Sequence, residues 1–155
     1  MSVSAGQPGL PRASLAVWSV VNAVCLLQAA GFATRPFAPQ VNQALGLVIA
    51  LLALPATWAL VVFVRTGAGR LTLAGPIAFD LFVVLMIAVD YVPGVEWRDP
   101  LEPVVAAPYL CLFFGSIVLM GLPMFRLDRR LWRVTAVCAA VLVAAMLYAA
   151  SKGTA

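Results

Sequence analysis

The chain has no histidine. That absence excludes His-ligated haem, His-based zinc sites and Ser-His triads together. Charge is also scarce: Asp, Glu, Lys and Arg make up only 10% of 155 residues, where a soluble domain carries about 25%. A soluble globular protein of this composition is therefore excluded. The three cysteines, Cys25, Cys111 and Cys138, stand far apart and form no Cys-x-x-Cys. Thioredoxin-like or quinone-linked disulfide chemistry has no footing. Each lies in an apolar run and reads as a small hydrophobe packed against a neighbouring helix. There is no Gly-rich phosphate loop either.

What remains is apolar. Hydrophobic residues make up 64% of the chain, and mean hydropathy is +1.04. A helix needs about 20 residues to cross a bilayer. Five segments meet or approach that length: residues 13–33, 41–64, 73–92, 104–125 and 131–150. The expected fold is all-α, a single polytopic membrane bundle of five helices. A short Gly/Pro/Ser-rich tail (residues 1–12) precedes it and residues 151–155 follow. The first apolar run exceeds the roughly 7–15 residues of a signal-peptide core and is read as a retained span.

Breakers punctuate the spans. Arg35-Pro36 and Pro39 separate the first two, Gly67, Gly69 and Arg70 the next two, and Pro93-Gly94, Asp99-Pro100 and Pro103 the third from the fourth. The segment RLDRR leaves room only for a tight hairpin before the fifth. Pro76 and Pro108 are expected in the first turns of their helices, where a missing N–H costs little. Pro55 is expected to kink the second span.

The net charge of +4 does not indicate nucleic acid, because the arginines sit at the ends of apolar runs. With five spans, Arg12, Arg65, Arg70, Arg126, Arg129, Arg130 and Arg133 fall on one side, and Arg35, Arg98 and Lys152 on the other. The positive-inside rule then predicts a cytoplasmic N-terminus and an extracytoplasmic C-terminus. The loop with Glu96, Arg98, Asp99 and Glu102 would lie outside, with Trp97 at the interface. Arg126, Arg129, Arg130 and Arg133 form a cytoplasmic basic hairpin suited to anionic headgroups. The Ala, Val, Leu, Arg and Pro bias suggests the inner membrane of a GC-rich bacterium.

One residue is out of place. Asp80 falls near the middle of the third span, and a charged Asp there costs about 2.5–3.5 kcal/mol. A proton, a partner or water must offset that. Intramembrane acids point to function by default, so Asp80 is a candidate proton or cation site. The competing reading is a structural hydrogen bond between helices. No basic residue lies at comparable depth. The neutral candidates are Asn22, Gln28, Thr57, Ser116 and Thr135, and Asn22, at matching depth in the first span, is the expected partner. Asp90 lies about 15 Å further along the axis. It is expected at the outer interface beside Tyr91, within reach of water or Arg98; a mouth leading toward Asp80 is the sharper alternative.

Other constellations are weaker. An intramembrane aspartyl protease carries Tyr-Asp and Gly-x-Gly-Asp on two helices. Here the order is Asp90-Tyr91, both acids share one helix, and they cannot share a proton. Met120 and Met124 have a spacing that can hold Cu(I), but with Gly121 and Pro123 between them they read as packing residues. Ala136, Ala140 and Ala144 repeat every fourth residue, Ala145 and Ala149 extend a neighbouring row, and Gly115 and Gly121 add small positions in the fourth span. Such rows let helices approach closely, within the bundle or against another copy. AGPIAFDLF and AAPYLCLFF share too little to mark an inverted repeat.

Neither a metal nor a cofactor is implied, and catalysis is the least supported class. The expected partners are the lipid bilayer and a second copy or a larger membrane complex. Two functions follow: a structural or accessory protein acting through helix packing, or a small proton- or cation-coupled transporter or channel using Asp80.

Overall fold

The computed structural model describes residues 9–91 and 102–153. Six helices follow one another: α1 (Gly9–Thr34), α2 (Pro39–Leu51), α3 (Ala53–Arg65), α4 (Arg70–Asp90), α5 (Pro103–Leu127) and α6 (Arg129–Ser151). α2 and α3, separated by Leu52 alone, count as one span, so the described residues hold five helices of membrane length. The membrane-length helices run Arg12–Thr34, Gln40–Arg65, Arg70–Asp90, Pro103–Leu127 and Arg129–Ser151, and Gly9–Arg12, expected in the tail, belongs to α1.

The break between α2 and α3 falls just before Pro55, where a kink was expected. Pro55 has no N–H to give to the Leu51 carbonyl, and its ring crowds that carbonyl. The chain responds one turn earlier. Leu52 interrupts the helix, and its N–H is shared between Ile49 O at 3.0 Å and Val48 O at 3.3 Å. Pro76 and Pro108 correct the expectation for their positions. α4 begins at Arg70 and α5 at Pro103, earlier than expected, so both prolines lie inside their helices and not in the first turns. In each case the carbonyl four residues back loses its helical donor.

Hydrogen bonds fix the directions of the helices. Trp18 donates to the Leu131 carbonyl and Asn22 to Thr135, both across 113 residues. A constant offset means that α1 and α6 run parallel. α4 and α5 run antiparallel: Gly75 meets Met120, and Phe82 meets Phe113. α1 is the most buried span and touches α2, α3, α5 and α6, while α4 packs mainly on α3 and α5.

In lipid, helices gain little from hiding apolar surface and associate by close packing. The α4–α5 seam shows how. A Cβ on Gly75 would stand 2.8 Å from the Met120 backbone nitrogen, so only glycine permits this approach. Further along, Phe82 sits with its ring centroid 5.2 Å from Phe113 and 5.3 Å from Tyr109, edge-on to the latter. Phe79 and Met86 complete this buried layer. The small residues expected to do this work divide differently. A Cβ added at Gly121 would come into ordinary contact with Thr135, whereas one at Gly115 would meet nothing. Ala149 is fully buried and Ala145 packs against the core, whereas Ala140 and Ala144 point outward.

Turns are short. α5 and α6 are joined by Asp128 alone, and its carboxylate accepts from the Arg130 N–H at 2.7 Å, capping α6. The α3–α4 turn passes through Gly67 at φ 66°, where a side chain would be strained.

Candidate functional site

Asp80 is the central residue of α4, and its partner is Thr57 of α3. The Thr57 hydroxyl donates to Asp80 Oδ2 at 3.0 Å. Asp80 Oδ1 is buried and has no hydrogen-bond partner among the described residues. Thr57 itself is exposed on the outside of the bundle, and Asp80 is half-buried. The surrounding surface is apolar: Leu54, Trp58 and Val61 on α3, and Leu81, Val84 and Ile87 on α4, are all exposed. A carboxyl at mid-depth thus lies at the edge of a lipid-directed face and not in the bundle interior.

The expected pair of Asn22 with Asp80 does not form. Depth along a helix is legible from sequence, but the direction around its axis is not. Asn22 faces α6. Its amide donates to Thr135 Oγ1 at 3.3 Å and to the Trp18 carbonyl at 2.6 Å. Thr135 passes its own proton to the Leu131 carbonyl, which also accepts from the Trp18 indole at 3.1 Å. These four residues make a closed polar clamp between α1 and α6. The Asn22 Oδ1 atom stays unpaired within it. Of the other candidates, Ser116 returns its hydroxyl to the Phe113 carbonyl of its own helix at 2.8 Å.

Asp90 accepts from Tyr109 of α5 at 3.1 Å. Beside it, Tyr91 donates to the Gln43 carbonyl at 2.6 Å, holding the end of α4 against α2. Asp90 therefore turns to α5 and Asp80 to α3, and the two acids do not share a seam. Arg98, the other expected neighbour of Asp90, lies outside the described residues.

Arg126, Arg129, Arg130 and Arg133 cluster about the α5–α6 turn and are exposed. The helix directions bring Arg12, Arg65 and Arg70 to the same end. Arg129 lies over the Phe125 ring, 5.5 Å from its centroid. Met120 and Met124 are buried in the core as packing residues. Cys25 and Cys138 are buried as expected, but Cys111 is exposed on α5.

These features define a small all-α integral membrane protein with five membrane-length helices. The chain matches no protein-family model, no curated protein and no solved structure.

Proposed function

We propose that this protein is a structural or accessory membrane subunit that works through helix packing, and that the α3–α4 face around Thr57 and Asp80 is its docking surface. One observation carries the reading: a mid-depth carboxyl–hydroxyl pair opens on an otherwise apolar outer face. Exposed to hydrocarbon, such a pair is unfavourable; covered by another polypeptide with a polar group at that depth, it becomes a specific contact. The arginine distribution supports an N-in, C-out orientation for this subunit.

The test is site-specific cross-linking in native membranes. A photo-reactive residue at Val61, on the docking face, should form an adduct with a second copy or another protein. The same probe at Leu147, on the outer face of α6, should label lipid. Lipid labelling at both positions would remove the proposal.

The transporter reading rests on the buried Asp80 Oδ1, which lacks a partner among the described residues and which a proton or a cation would satisfy. Its test is flux. Proteoliposomes of the purified chain should show a pH-dependent proton or alkali-cation current that Asp80→Asn abolishes. No current across the pH range would remove it.

A further inference from the structure

A shallow groove of about 400 Å³ lies along the outside of α4. Its wall is Leu73, Ala74, Ile77 and Leu81 of α4, and Leu112 of α5 closes its far end. Small side chains at Ala74 and Ala78 make the depression. Arg70, the first residue of α4, lines its mouth.

The length of the groove selects an occupant. From Arg70 to Leu81 a helix rises about 16 Å. That is close to half of the roughly 30 Å hydrocarbon core, or one leaflet. A transmembrane helix from another protein would run on across the whole membrane. An acyl chain of one leaflet ends where this groove ends, near the bilayer midplane.

Charge selects the headgroup. The groove opens at the bundle end that gathers Arg12, Arg65, Arg70, Arg126, Arg129, Arg130 and Arg133. Among the described residues the only acid there is Asp128, and it already caps α6. Arg70 is exposed at the first residue of α4, where a span of this length meets the headgroups.

We infer that the α4–α5 groove is a binding site for an anionic phospholipid, with an acyl chain along Leu73, Ile77 and Leu81 and the headgroup phosphate on Arg70. The site borders the docking face and shares Leu81 with it, but neither reading rests on the other.

Native mass spectrometry of the purified full chain tests it, in detergent with equal phosphatidylglycerol and phosphatidylcholine. The wild type should retain one phosphatidylglycerol in preference to phosphatidylcholine. Arg70→Gln should lower that preference about fivefold, the weight of one arginine near a charged surface. Arg133→Gln makes the same charge change away from the groove and should alter it less than twofold. Ala78→Phe fills the groove and should reduce retention of both lipids. Equal retention of the two lipids by the wild type would overturn the inference. So would equal effects of the two arginine variants, which would mean only diffuse attraction. Strong cross-linking of Ala78→Cys between two copies in nanodiscs would assign the groove to protein instead. If Ala78→Phe is not monodisperse, the comparison of the two arginine variants decides alone.

Discussion

Thr57 and Asp80 meet at 3.0 Å across the seam between α3 and α4, at the middle of α4. The hydroxyl satisfies one carboxyl oxygen and leaves the other unpaired. The pair is thus too polar for lipid and incomplete as a closed structural bond.

Substitutions at Asp80 separate its structural weight from docking. Asn keeps an acceptor for Thr57, and Leu does not. An interhelical bond in a membrane is worth about 0.6 kcal/mol on average, so both variants should keep the fold and differ in stability by under about 1 kcal/mol. Asp80→Leu should lose the protein adduct at residue 61, and Asp80→Asn should largely retain it. An undiminished adduct in Asp80→Leu would remove the carboxyl from the docking face.

Gly75 should be intolerant of even one carbon. An added Cβ meets backbone atoms of Leu119 and Met120 at 2.9 and 2.8 Å, and backbone cannot swing aside. Gly75→Ala should destabilise the bundle by about 1–3 kcal/mol, as overpacking does. Gly115→Ala, which meets nothing, should be close to neutral. Thermal unfolding in detergent compares them, and equal midpoints would contradict the close approach of α4 and α5.

The α1–α6 clamp predicts a measurable coupling. In a double-mutant cycle, Asn22→Leu and Thr135→Val should each destabilise, with an interaction energy of about 0.6 kcal/mol and no more than about 1.7. Strict additivity would show that their 3.3 Å contact is not formed.

The parallel register of α1 and α6 places two native thiols opposite each other. Cys25 and Cys138 lie one turn beyond Asn22 and Thr135 at the same 113-residue offset, and both are buried. A short, membrane-permeant bis-thiol reagent should link them within one chain, and Cys111→Ala should leave that link unchanged. A link from Cys111 to either of them would refute the register.

Orientation has a direct test. Single cysteines at Phe37, in the α1–α2 turn, and Gly69, before α4, occupy opposite ends of the bundle and are exposed. In intact cells an impermeant thiol reagent should label Phe37→Cys, and Gly69→Cys only after permeabilisation. The reverse pattern would mean N-out.

The sequence was informative where one coordinate suffices. Length and apolarity marked five long apolar helices, Pro55 marked the interrupted one, and the short RLDRR segment marked the tight α5–α6 turn. The depth of Asp80 and Asn22 followed from counting residues at a fixed rise. Their partners did not, because nearly every position of these spans is apolar. The hydrophobic pattern that marks the buried face of a soluble helix is therefore missing. Gly75 went unmarked for the same reason: one glycine among many small residues gives no sign that a neighbouring backbone lies against it.

By itself, then, the sequence determined that the chain is an all-α membrane bundle, which segments are long and apolar enough to cross, and where along each segment its polar residues sit. Those properties depend on the transfer of each segment from water to hydrocarbon, which is local to the segment. Only the tertiary structure decided which residues meet. It placed Asp80 on Thr57, Asn22 on Thr135, Asp90 on Tyr109, and a groove beneath Arg70. Each of those depends on the rotation of one helix against another, which close packing sets and hydropathy does not record.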